Sequence, residues 1–210
     1  MNKMDLKFYS LNYQDISLKN KDEIYLLLKQ SFASNFTGLL SFRQVEDYIN
    51  AVSRDVSYKN CCVLTCDHKV VGFAVSGNRI SLTRVFTPIR SFIDLCDGVL
   101  LALKLLSHPK IIIQTLKDIS GRNSSTHQLD PLLERYCYLA YICVAKHVKS
   151  RGVGSDFMLH FVATLRASKI PGVYCHMDAT DLKIRAFYLR NDWIITNKKS
   201  RRSVAKRVIA

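Results

Sequence analysis

The residues with the most evident chemical use run Ile142-Cys143-Val144-Ala145-Lys146-His147-Val148-Lys149-Ser150-Arg151-Gly152-Val153-Gly154-Ser155. The apolar residues ending at Val144 read as a buried strand. Phe157, Phe161, Val162 and Leu165 have the spacing of a helix that begins at about Gly154. A helix start presents backbone N–H groups with no partner in the helix, together with the positive end of its dipole. Gly152 and Gly154 let backbone approach an anion closely, and Lys146, Lys149 and Arg151 surround the turn with cations. The chemistry is that of an anion cradle, suited to a phosphate or pyrophosphate. Taken alone, Gly-x-Gly at a helix start is equally a plain strand-to-helix turn. It completes neither the P-loop nor the dinucleotide pattern.

A second block follows at a fixed distance: Asp181-Leu182-Lys183-Ile184-Arg185-Ala186-Phe187-Tyr188-Leu189-Arg190-Asn191-Asp192-Trp193. Together the two blocks resemble the GNAT superfamily of N-acetyltransferases. That family's acetyl-CoA signature is an Arg or Gln, two residues, Gly, one residue, then Gly or Ala. Here it reads Lys149-Ser150-Arg151-Gly152-Val153-Gly154, and Lys149 keeps the charge but loses the planar fork. The family's late motif is an Asn, an Ala three residues on, a Tyr seven residues on and then Gly-Phe. Tyr188 matches, while Asp181, Ile184, Asp192 and Trp193 stand for the others. The hairpin with Val70-Val71-Gly72-Phe73 is similar to the family's second and third strands. The likeness is strongest over 136–193, architectural over 6–77 and absent over 79–125.

The resemblance implies acetyl-CoA as co-substrate and no metal. It implies cofactor contacts from Ile142, Cys143, Val144, Lys149, Ser150, Arg151, Gly152, Val153, Gly154, Ser155, Asp181 and Tyr188. The strand ending at Val144 would splay from the strand starting at Val173. Pantetheine would lie in the gap and pair with the backbone of Ile142 and Val144, and an N–H near Val144 would polarise the thioester carbonyl. Tyr188 would protonate the leaving thiolate; packing is its alternative role. The base is open: the strand 137–144 has neither carboxylate nor histidine. His176 ranks first, then Asp178, which shares its face by the period of two, then Glu134. Each is equally a strand-end polar group.

These residues need elements to position them. The pattern predicts strands at Leu6–Leu11, Cys61–Thr65, Lys69–Ser76, Tyr136–Val144, Val173–Ala179, Trp193–Thr196 and Ser203–Ile209. It predicts helices at Lys21–Ala33, after an N-cap at Ser41 through Val52, at Gly154–Ala167 and at Ile184–Leu189. Two more are read at Ile89–Leu106 and Pro109–Ile119, closed by a loop at Gly121–Thr126. The fold class is α/β (α+β): one GNAT domain over 1–210, with a mixed sheet of six or seven strands and helices on both faces. A helical insertion at 79–125 lies between the third and fourth strands.

Length, charge and cysteines bound the partners. The chain has 210 residues, 48% hydrophobic and 23% charged, enough for a core without disulfide staples. Its first residues lack the apolar stretch of a signal peptide, and no window reaches the roughly 18 apolar residues of a membrane span. Seven cysteines, an odd number set mostly in apolar segments without a CxxC pair, read as reduced thiols in a cytoplasmic protein. The net charge of +14 favours anionic partners.

The segment 79–125 carries seven Lys or Arg against three Asp. It resembles helical insertions in acetyltransferases tied to bacterial surface-polysaccharide assembly. That implies an amino group on a nucleotide-linked or lipid-linked sugar as acceptor. The alternatives are a protein N-terminus or lysine, and a small free amine. Segment 89–119 could instead dock at an anionic membrane surface. In a different class, the basic C-terminal cluster would fit a nucleic-acid binder, but it lacks the aromatics of a stacking platform, so no specific nucleic acid is expected. Monomer and homodimer both remain open.

Overall fold

Serine caps start the first two helices. Ser17 accepts from the Asn20 amide at 3.3 Å and starts α1, Leu18–Ser31, one turn ahead of the apolar spacing that marks the helix in the sequence. Ser41 and Gln44 form a reciprocal capping box at the start of α2, Phe42–Ser53. Ile24, Leu27 and Leu28 of α1 and Val45, Tyr48, Ile49 and Val52 of α2 turn their apolar stripes into the core.

The computed structural model describes residues 5–33, 36–54, 56–79, 135–149, 152–196 and 202–209, with Val99, Leu103, Ser107 and Leu133. The strands are β1 Leu6–Leu11, β2 Cys61–Cys66, β3 Lys69–Gly77, β4 Cys137–Val144, β5 Gly172–Asp178, β6 Ile194–Thr196 and β7 Arg202–Val208. The remaining helices are α3 Val153–Ala167 and α4 Leu182–Arg190. The strands form one mixed sheet in the order β1-β2-β3-β4-β5-β7-β6. Every pairing is antiparallel except β4 with β5. A parallel pair needs a crossover, and α3 supplies it. The expected hairpin between β2 and β3 turns at Asp67 and His68, both with positive φ (49° and 64°), as a two-residue hairpin loop requires.

Helices cover both faces. Phe32 of the α1 C-cap and Tyr48 of α2 pack on Tyr141 of β4, with ring centroids 5.5 and 5.6 Å away. On the other face Phe8 of β1 meets Phe157 and His160 of α3. Ser10 Oγ lies 2.9 Å from His160 Nε2 and 2.6 Å from Thr164 Oγ1. The core between these layers includes Phe73, Phe157, Phe161, Ile49 and Leu64, all essentially fully buried. The six described cysteines are unpaired and buried. Among the described residues no helix is long and apolar enough to cross a membrane.

Two sequence expectations shift. Trp193 lies just before β6 rather than in it, buried against the Tyr188 ring after a turn at Asp192 with φ 60°. The helices read at 89–106 and 109–119 lie outside the described residues, except that Val99 and Leu103 are helical and exposed.

Candidate active site

Side chains cap α1, α2 and α4, but none caps α3. Its N-cap is Gly152 at φ 79°, where a side chain is strained, and a Cβ there would meet nothing within 4 Å. Ser155 and Asp156 already donate back to the Gly152 carbonyl. The preceding N–H groups, of Val153 and Gly154, have no acceptor within the helix. Exposed Lys146, His147 and Lys149 precede this start in the chain, and exposed Asp156 lies in its first turn. The arrangement is an open anion cradle. Ser150 and Arg151 lie outside the described residues.

Helix α4 docks on this start. A Cβ on Gly154 would come 3.5 Å from the Phe187 ring and 3.6 Å from a Val144 methyl. Asn191 Nδ2 donates to Ser155 Oγ at 3.3 Å and to the Phe187 carbonyl at 2.8 Å. Arg207 Nη1 donates to the Asn191 carbonyl at 2.6 Å. The spacing between the two sequence blocks therefore has a physical cause: the end of β4, the first turn of α3 and the length of α4 meet at one place. Asn191 is the residue that ties them, and nothing in its sequence context singled it out. Asp181, expected near the cofactor, spends Oδ1 on capping α4 through the amides of Lys183 and Ile184.

Between β4 and β5 the sheet splits. The two strands pair only at Cys137↔Val173 and Tyr138↔Tyr174. Beyond that point Leu139–Val144 has no partner on the β5 side. The Ala145 amide donates to the Val71 carbonyl of β3 at 2.7 Å. Backbone polar groups alternate along an antiparallel ladder, so the 145, 143 and 141 amides face β3. The N–H and C=O groups of Ile142 and Val144 then face the gap. Cys143 differs: its backbone faces β3, its thiol donates to the Phe73 carbonyl, and burial pushes that thiol up to about 12.

Strand β5 carries different chemistry on its two faces. Cys175 turns toward α4, where burial raises it to about 12 and its thiol interacts with the Tyr188 hydroxyl. Tyr188 is buried, its ring 4.8 Å from Trp193 and 5.6 Å from Phe187. Burial, first, and then the neighbouring Cys175 hold its phenol well above the usual tyrosine range, so it keeps its proton.

Tyr174 and His176 turn to the opposite face. Here β4 has an irregularity. Val75 stands opposite Tyr141 but Ser76 stands opposite Leu139, leaving Ala140 as an extra residue. Strict alternation would put Tyr138 and Tyr141 on opposite faces; the bulge puts both on the α1/α2 side. Tyr138 then lies 5.4 Å from Tyr174 and 6.0 Å from His176 between centroids. Of the candidate bases, half-buried His176 is at this cluster. Exposed Asp178 accepts from the Thr180 amide at 2.9 Å and from its hydroxyl at 2.6 Å, closing the turn after β5. Glu134 lies outside the described residues. Among the described residues no group of His, Cys, Asp or Glu could hold a metal.

No family model and no curated protein matches the chain. Solved structures do match over nearly its whole length. An acetyltransferase of the GNAT family from Streptococcus pneumoniae superposes with a TM-score of 0.54 at 11% identity, covering 98% of this chain and 100% of that one. The PaiA N-acetyltransferase of Thermoplasma acidophilum, in complex with coenzyme A, gives 0.54 at 9% identity, covering 98% and 99%. The ribosomal-protein-S18-alanine N-acetyltransferase of Escherichia coli gives 0.51 at 10%, covering 98% and 94%. The fold is the GNAT fold. Within this fold, the split between β4 and β5 and the uncapped start of α3 both leave backbone hydrogen-bonding groups without partners in sheet or helix.

Proposed function

We propose that the protein is an N-acetyltransferase that moves an acetyl group from acetyl-CoA to a primary amine by direct attack. The observation that carries this is the split sheet. A strand edge with the free N–H and C=O groups of Ile142 and Val144 leads directly into an uncapped helix start. An amide-bearing pantetheine arm pairs with the first and a pyrophosphate with the second, and few other ligands join those two chemistries in that order. Lys149 adds its charge to the cradle, and Ser150 and Arg151 belong to the same proposed signature.

The two faces of β5 divide the proton transfers. His176, on the α1/α2 face, takes the proton from the attacking amine. The amine nitrogen bonds to the thioester carbon, the carbon–sulfur bond breaks, and the electron pair leaves with sulfur. The Val144 N–H faces the gap and stabilises the oxyanion. Tyr188, on the opposite face and kept protonated by burial, donates its proton to the departing thiolate. The proton on His176 returns to solvent as the Tyr188 phenolate is reprotonated, leaving amide and free CoA. Asp178 and Glu134 rank behind His176, and Asp178 already holds the turn through Thr180.

For the acceptor we favour an amino sugar on a nucleotide or lipid carrier, because the chain is strongly basic and the segment between β3 and β4 carries a cationic excess. A protein or peptide amine is the second reading. It is supported by the structural likeness to an enzyme named for a ribosomal-protein alanine. The cytoplasm suits the unpaired cysteines. Calorimetry with acetyl-CoA, followed by thiol-release assays on amino sugars, peptides and small amines, tests the reading. Binding in the micromolar range with thiol release is expected; absence of acetyl-CoA binding together with a salt-dependent gel shift on nucleic acid would sink it.

A further inference from the structure

Acetyl-CoA on the α3/α4 side of the split leaves the opposite face of β4 and β5 as the approach for the amine. That approach is walled by Tyr138, Tyr174 and His176, whose ring centroids lie 5.4–6.1 Å apart. Tyr48 and Tyr141 extend it toward α2. Among the described residues the charges on this face are few. Arg79, exposed, lies two residues beyond Gly77, which stands in register with Tyr138, and its guanidinium is within electrostatic reach of the Tyr174 and Tyr48 hydroxyls. Lys206 of β7 stands in register with Tyr174 on the same face. Among the described residues the carboxylate at its rim is Asp178, engaged by Thr180 and opposite Arg202 in the register. Beside these buried phenols, exposed Arg79 and half-buried Lys206 make a cationic rim that repels polycations and binds an anion through charge-assisted bonds.

We propose that this face selects amines carrying an anionic group, phosphate or carboxylate, a few bonds from the nitrogen. Arg79 anchors that group and Tyr138 and His176 border the amine. The inference rests on the acetyltransferase reading and adds the acceptor's charge class to it. Arg79 is an apt anchor, since it is exposed beside the buried Tyr174 phenol, and a planar guanidinium takes phosphate or carboxylate in a bidentate grip. The ends of the segment joining β3 to β4 also reach this face: Arg79 opens it, and Leu133 near its close packs with Tyr174 and Val204.

The test compares matched acceptors: ethanolamine with phosphoethanolamine, glucosamine with glucosamine 6-phosphate, a glycine with its amide, and spermidine. Thiol release is measured on the full chain, its Arg79→Ala and Arg79→Lys variants and the Arg79→Ala/Lys206→Ala double variant. We expect kcat/KM about tenfold or more higher for the anionic member of at least one pair, mainly through KM. Arg79→Ala should remove that preference, Arg79→Lys should restore part of it, and the acetyl-CoA Kd should not move. The phosphate and carboxylate pairs separate the two sources of charge. The proposal falls if uncharged amines or spermidine are preferred. It also falls if the preference survives in the double variant, or if acetyl-CoA binds while no anionic acceptor is used. Failure to bind acetyl-CoA would strike the function itself.

Discussion

Gly152 and Gly154 lie two residues apart in the same signature, yet their surroundings predict opposite responses to a methyl group. At Gly152 the backbone is left-handed, φ 79°, and a Cβ would face open ground. The left-handed conformation costs an alanine about 1–2 kcal/mol. In a chain of 210 residues that lowers Tm by roughly 2–8 °C. The added carbon would also intrude where an anion approaches the Val153 and Gly154 amides. Losing one charge-assisted hydrogen bond costs about 1.5–3 kcal/mol, or roughly 10–100-fold in Kd. At Gly154 the backbone is helical. A Cβ would sit in ordinary contact with Phe187 and Val144, at 3.5 and 3.6 Å, away from the anion. Alanine there gains about 0.5–1 kcal/mol of helix stability. Calorimetric titration with acetyl-CoA and thermal melts on Gly152→Ala and Gly154→Ala should therefore separate the two. The first weakens binding at least about tenfold and the second leaves it within about threefold. Equal losses, or an unchanged Kd for Gly152→Ala, would show that the start of α3 does not hold the pyrophosphate.

Three further outcomes follow from the same geometry. Tyr188→Phe should lower kcat about 100-fold with little change in acetyl-CoA affinity, read by steady-state kinetics beside calorimetry. Because burial holds the Tyr188 phenol above its ordinary value of 10.0, the wild-type rate should show no alkaline loss from this group below pH 10. His176→Gln should reduce kcat about 100-fold while the acetyl-CoA Kd stays put; an unchanged rate would pass the base role to Asp178 or Glu134. Stability should fall in alkali. Cys137, Cys143 and Cys175 are pushed by burial from 9.0 to about 12. Their contribution is complete below pH 9 and is lost as pH rises from 9 toward 12. At pH 10 each thiol costs about 1.4 kcal/mol, roughly 4 kcal/mol for the three, visible as a falling Tm. A flat Tm from pH 8 to 11 would contradict their burial.

Local chemistry made much of this readable in the chain itself. The spacing of Phe157, Phe161, Val162 and Leu165 marks α3, Ser41 marks the start of α2, and the aromatic and β-branched run before Val144 marks β4. The glycines and cations between β4 and α3 announce an anion cradle, because backbone freedom and charge are properties of residue type. The distance to Tyr188 marks the second block, whose helix docks on the start of α3. Less visible was Ser17, which caps α1 earlier than the apolar period begins.

Tertiary structure decided what periodicity cannot express. The extra residue at Ala140 turns Tyr138 to the face of Tyr141, because a bulge reverses the alternation on which any sequence reading of a strand depends. The split after Tyr138↔Tyr174 gives the Ile142 and Val144 backbone an open side, and only the path of the neighbouring strand determines that. Asn191 joins α4 to α3 across 36 residues, and Arg79, just after β3, acts electrostatically on Tyr174 of β5. Residue types and spacing determined which groups could bind an anion and move a proton. The sheet's bulge and split determined which of them share a face, because contacts between distant segments depend on register.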